Sequence, residues 1–164
     1  MQVELQYRRI LVPIDFSNES RKAFYMALKY SRQFDCDTIA LHIGDVGTSI
    51  DDMEKTASDL ERLDDGVTRR LNELWAKGGL DKVDRRRVQI EIRGGVLWKQ
   101  VVRYADENDV DLIVMATSGR TGVKSLFSPS QCERVVRHAT CNVLVVKTDE
   151  WEATLDAPPE KFKV

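Results

Sequence analysis

The sequence predicts one doubly wound α/β domain, a parallel sheet with helices on both faces. Three observations predict it. Short runs of β-branched and aliphatic residues alternate along the chain with longer helical patterns, the signature of βαβ units. Most of those runs are apolar without a break, as strands covered on both faces must be. A chain of 164 residues with 42% hydrophobic side chains is long enough for one sizeable core, and no internal repeat or linker divides it.

The elements follow in order. Arg9-Ile10-Leu11-Val12-Pro13-Ile14 is the first strand. Asp15 and Ser17 then offer turn and N-cap oxygens, and Ala23, Phe24, Ala27, Leu28 and Phe34 recur at helical spacing. Thr38 to Ile43 reads as the second strand, ended by Gly44, and residues 44–50 read as a loop with Gly44 and Gly47 as breakers. Ile50, Met53, Ala57, Leu60, Leu71 and Leu74 predict a long amphipathic helix. Asp64-Asp65-Gly66 is a candidate kink or break in it, and Gly78-Gly79 is its stop. Val88, Ile90 and Ile92 alternate with polar residues, which predicts a half-exposed strand near a sheet edge. Gly94-Gly95 opens a helix carrying Val96, Leu97, Val101, Val102 and Ala105. Asp111 to Met115 is the fourth strand, 116–129 a polar glycine-containing loop, and a short helix through Val135 and Val136 leads to the last strand, Asn142 to Val146. Five strands and four helices are expected in a domain over residues 1–147. Residues 148–164, with Pro158-Pro159, read as a surface tail.

Composition excludes several function classes. Twenty-five Lys and Arg against twenty-seven Asp and Glu give a net charge of -2, without the basic excess of a protein built to hold nucleic acid or an anionic membrane. No apolar run approaches the roughly 20 residues of a spanning helix, and Met1 to Gln6 has no signal-peptide pattern, so a cytoplasmic protein is expected. Cys36, Cys132 and Cys141 are odd in number and widely spaced. With only His42 and His138 besides, they form no metal-ligand pattern and read as reduced thiols, a redox role being unsupported.

Ligands of open parallel sheets bind beyond the carboxyl ends of the strands, where the strand order reverses. The candidate segments are therefore Pro13 to Ser17, His42 to Asp45, Arg93 to Gly95, and the loop Ala116 to Ser125. In that loop Gly119 and Gly122 allow consecutive amides to cradle phosphate oxygens, with Arg120 and Lys124 adding charge; the other reading is a glycine turn with solvated bases. The Walker spacing fails. Two capping schemes start the next helix, Ser128 as N-cap with Pro129 at the first helical position, or a Ser130-Gln131-Cys132-Glu133 capping box. Asp15 is either a ligand contact or a helix-capping turn residue. His42 is expected to pack at its strand end and His138 to sit at a helix C-terminus. Arg85-Arg86-Arg87 is a solvated run or has a local acidic partner. No Ser-His-Asp grouping or carboxylate pair stands out, so dedicated catalysis is not expected.

The stretch Asp111 to Val146, DLIVMATSGRTGVKSLFSPSQCERVVRHATCNVLVV, closely resembles the C-terminal signature of the universal stress protein family. Ile10 to Ser17 resembles that family's first strand with its aspartate, and Leu41-His42-Ile43 the end of its second; the resemblance covers about residues 7–147. It implies strand order 3-2-1-4-5, dimers through the last strand and, in one branch, ATP or a related adenine nucleotide, with Mg, between the ends of the first and fourth strands. The positions it carries over are Pro13, Asp15, Ile43, Met115, Ala116, Ser118, Gly119, Arg120, Gly122 and Ser130. The nucleotide-binding pattern is G-x-x-G, nine residues, then G-[ST]. Here Ala116 and Pro129 replace two of its three glycines, Gly119 keeps the second, and Ser130 keeps the hydroxyl. Proline has no N–H for a phosphate.

Three functions follow from these residues. One is a dimeric stress-response regulator with weak or altered adenine-nucleotide binding. The second is a family member that acts through regulatory protein partners alone, which Ala116 and Pro129 favour. A nucleotide phosphohydrolase ranks last for want of a base or metal cluster. The homodimer is expected through Val143-Leu144-Val145-Val146, an apolar edge otherwise open to aggregation.

Overall fold

Alternation along the central strands decides how the layers assemble. A computed structural model describes residues 6–44, 57–78, 82–117 and 128–147. Its elements are β1 (Arg9–Pro13), α1 (Asn18–Phe34), β2 (Asp37–Gly44), α2 (Ala57–Gly78), α3 (Lys82–Arg86), β3 (Val88–Gly94), α4 (Leu97–Glu107), β4 (Leu112–Thr117), α5 (Pro129–His138) and β5 (Asn142–Lys147). All neighbouring strands are parallel, in the order β3-β2-β1-β4-β5. Ile10 and Val12 of β1, with Leu112, Val114 and Ala116 of β4, share a core with Phe24 and Leu28 of α1 and Val67, Leu71 and Leu74 of α2. Leu11, Ile113 and Met115 point the other way, into a core with Leu97 and Val101 of α4 and Cys132 and Val135 of α5. Strands covered on both faces need an apolar residue at every position, which is why their runs are unbroken. β3 lies at one edge, where Val88, Ile90 and Ile92 pack against the first core and Gln89 is exposed.

Several expectations need correction. The long helix neither kinks nor breaks at Asp64-Asp65-Gly66, because α2 is continuous from Ala57 to Gly78. One helical glycine costs about 1 kcal/mol, whereas each fully buried aliphatic side chain contributes about 1.5–3 kcal/mol, and Val67, Leu71 and Leu74 lie directly beyond it. The described residues hold five helices where four were expected. The extra one, α3, is a single short turn region fastened from outside. Asp84 on it is 2% exposed and accepts from Arg32 Nε at 2.7 Å and Nη2 at 2.5 Å. The arginine run around it is not merely solvated. Arg87 pairs with Asp35, and the Arg85 guanidinium lies 5.2 Å from the Trp75 ring centre. β4 continues to Thr117, two residues into the expected loop. The expected helix start at 50–56 and the 148–164 tail lie outside the described residues. Among the described residues no helix is long and apolar enough to cross a membrane.

Candidate functional site

β1 stands between β2 and β4, where the strand order reverses. Its ladder to β2 runs from Arg9↔Asp37 to Pro13↔Leu41, and Ile14 N–H extends it to Leu41 O at 2.9 Å. Its ladder to β4 stops after Ile10↔Leu112 and Leu11↔Ile113, although β4 goes on to Thr117. Pro13 accounts for the difference. Arg9 O accepts from Asp111 N at 3.0 Å, toward β4, while Ile14 N donates toward β2. In a parallel strand these directions alternate residue by residue, so the main chain of residue 13 faces β4, and proline has no N–H to give it. Past that point the two strands have no ladder, and the space between their carboxyl ends is the candidate crevice.

The β1 side of the crevice is built by a tight turn. Half-buried Asp15 accepts from Ser17 N–H at 2.9 Å and Ser17 Oγ–H at 2.5 Å. Ser17 is the N-cap of α1, its Oγ accepting from Ser20 N at 3.2 Å. Asp15 thus orients the residue that caps the helix, whether or not it also meets a ligand. Phe16 between them has φ 65°, the left-handed region that bulky side chains avoid. Its buried ring packs 5.6 Å from His42, whose Nδ1 lies 2.8 Å from Ile14 O and donates to it. His42 is a packing residue at its strand end, as expected.

On the other side, Met115 and Ala116 are 0% and 1% exposed, and Ile43 at the end of β2 is 3% exposed. Their side chains belong to the two cores, so what they can offer a ligand is main chain. Cys132 of α5 donates from Sγ to Ala116 O at 3.4 Å, tying that helix to the end of β4, and burial pushes its thiol pKa up. Of the two capping schemes the first holds: Ser128 is the N-cap, accepting from Gln131 N at 3.4 Å, and Pro129 is the first helical residue. Ser130 is exposed in the first turn, its Oγ 2.9 Å from Ser128 Oγ. Gln131 also accepts from Trp98 N at 3.4 Å and so caps α4, whose own N-cap residue, Val96, supplies no side-chain bond. Ser118, Gly119, Arg120 and Gly122 lie outside the described residues.

These groups fit one half of an adenine nucleotide better than the other. A half-buried carboxylate and strand-end main chain suit a ribose and base. The start of α5 suits a phosphate less well, because its first residue, Pro129, lacks an N–H. Among the described residues no group of three His, Cys, Asp or Glu side chains is placed to hold a metal ion. Sequence reasoning missed two cavities, one of about 410 Å³ at the opposite strand ends and one of about 460 Å³ beside Asp15. The latter is lined by Asp15, Phe16, Ser17 and Arg21 together with Arg70, Glu73 and Leu74 of α2. Helical spacing from Ser17 could have pointed to Arg21; nothing local marks Arg70.

A sequence model of the universal stress protein family matches residues 6–147. The chain belongs to that family. A curated universal stress protein of Methanocaldococcus jannaschii is 28% identical over 151 residues, covering 89% of this chain and 85% of the relative. The solved universal stress protein UspA of Lactobacillus plantarum superposes with a TM-score of 0.64 at 24% identity, covering 87% of this chain and 99% of that one. A universal stress protein in complex with cAMP gives 0.57 at 19% identity, covering 88% and 100%. The Archaeoglobus fulgidus universal stress protein in complex with dAMP gives 0.55 at 18%, covering 87% and 100%. At these identities the solved structures establish the shared universal stress protein fold.

Proposed function

We propose that this universal stress protein is a regulatory binding protein that takes an adenine nucleotide, ATP or a relative, in the crevice between β1 and β4. The observation that carries the reading is the end of the β1–β4 ladder at Leu11↔Ile113, which leaves Asp15 and the last residues of β4 flanking a gap at the switch point. Adenylates in two structural relatives support the ligand class. In this reading Asp15 meets the ribose or an accompanying Mg, and main chain near Pro13, Ile43 and Met115 meets the base. The loop with Ser118, Gly119, Arg120 and Gly122, together with Ser130, meets the phosphates. Pro129 withholds one amide, so binding is weak. The reading is one of binding rather than turnover. The protein acts as a homodimer through β5, an edge strand on which Val143, Leu144 and Val145 are only half-buried.

A second reading, a member that acts through protein contacts without nucleotide, is favoured by Pro129 at the helix start. One experiment separates the two. The purified protein is examined for a raised 260/280 nm absorbance ratio, extracted for bound nucleotide and titrated calorimetrically with ATP, its mass being followed by sedimentation. Bound adenylate or ATP heats saturating below millimolar concentration, in a dimer, are expected. No heat with ATP would leave the protein-contact reading, and monomer alone at micromolar concentration would remove the dimer.

A further inference from the structure

The cavity beside Asp15 shares that residue with the crevice and opens between the start of α1 and the side of α2. Arg21 comes from the second turn of α1 and Arg70 from α2, 49 positions further on (70 minus 21), so only the folded chain brings them to one wall. Neither guanidinium has a carboxylate partner among the described residues, whose ion pairs involve Arg32, Arg87, Arg93, Arg103 and Arg137 instead. Arg21 Nε is shielded from solvent and has no hydrogen-bond acceptor among the described residues. A shielded donor of this kind is costly unless something accepts from it. The Arg70 guanidinium carbon lies over the Phe16 ring, 5.5 Å from its centre. A cation over an aromatic face keeps N–H donors that the ring does not satisfy and that an acceptor can take.

We infer that this cavity is a binding site for a phosphoryl group, held between the Arg21 and Arg70 guanidiniums at the positive end of the 17-residue helix α1. Two carboxylates line the same cavity, and the charge balance has to be faced. Asp15 already accepts from the N–H and the hydroxyl of Ser17, so its charge is partly met. Glu73, one turn from Arg70 and exposed, opposes the anion and sets an upper limit on affinity. The Phe16 backbone, held in the left-handed region, puts the ring under Arg70 and so fixes one wall. The phosphoryl group comes either from a nucleotide that reaches past Asp15 out of the crevice or from a separate phosphorylated molecule.

The test uses the full chain and three probes: sodium pyrophosphate, adenosine and ATP, each titrated calorimetrically against wild type, Arg21→Gln, Arg70→Gln and Glu73→Gln. Pyrophosphate is expected to bind wild type, to bind each arginine variant about tenfold more weakly, and to bind Glu73→Gln a few-fold more tightly. Far-UV circular dichroism checks that the variants are folded, and Arg70→Lys, which keeps the charge and loses the fork, recovers part of the loss. If ATP affinity falls with the arginine variants while adenosine affinity holds, the nucleotide itself supplies the phosphoryl group. If only pyrophosphate responds, the ligand is a separate molecule, and the inference stands even where adenosine fails to bind. Pyrophosphate affinity that is absent in wild type, or equal in folded wild type and both arginine variants, overturns it.

Discussion

Replacing Pro129 by glycine restores a main-chain N–H at the first helical position of α5, beside the candidate phosphate end of the crevice. Two opposing effects can be sized. A hydrogen bond to a charged group contributes about 1.5–3 kcal/mol, and Pro129 is exposed, so the lower end applies and ATP should bind about tenfold more tightly. Glycine also frees the unfolded chain and loses a φ that suits the helix start, which costs about 0.4–1 kcal/mol of stability. With a urea slope of about 2 kcal/mol/M the midpoint should fall by about 0.2–0.5 M. Calorimetric titration with ATP and with adenosine, beside urea unfolding, reads both. Adenosine has no phosphate, and its affinity should be the same in the two proteins. Equal ATP affinity, no ATP binding in either protein, or an adenosine gain as large as the ATP gain would refute the assignment of Pro129 as the obstacle.

Two further outcomes are expected. At the α1–α3 ion pair the Asp84 side chain is 3% exposed and that of Arg32 43%, so the partners are not equivalent. Arg32→Met takes a bidentate guanidinium away from a buried carboxylate and should cost about 2–3 kcal/mol, whereas Asp84→Asn removes the charge from the buried partner, keeps its size and should cost about 1–2 kcal/mol; urea midpoints in the reverse order would contradict the burial argument. Burial, with a lesser contribution from Asp37, pushes the Cys36 thiol up from 9.0 to about 11. The unfolded chain then releases this proton first, so stability should decline as pH rises from about 9 toward 11, and Cys36→Ala should flatten that decline in denaturation measured at stepped pH.

The sequence made the sheet easy to read because each strand's environment is written in its own residues. Ile10 to Val12 and Leu112 to Met115 are unbroken because two cores need them, and Val88, Ile90 and Ile92 alternate because β3 is an edge. What escaped was tertiary. Gly66 looked like a breaker because its local propensity is poor, yet the buried residues after it hold the helix straight through. The five residues of α3 carry no periodicity of their own, and their anchor, Arg32, lies on another helix. At the site, Asp15 and Pro13 were visible from position alone, since Pro13 ends a buried strand and Asp15 follows it. The choice between Ser128 and Ser130 as cap was not, because both satisfy the same local rule and only geometry separates them. Arg21 and Arg70 share a wall that no short window contains.

Pro13 has a consequence for how a ligand would enter. A gap held open by a side-chain contact or a hinge must be prised apart by whatever occupies it, and that work is subtracted from the affinity. Here the missing donor is part of the covalent chain, so neither salt, pH nor temperature can zip β1 to β4 at this register. The empty and occupied proteins should therefore share one strand arrangement, and recognition becomes docking into a slot that already exists in the folded chain.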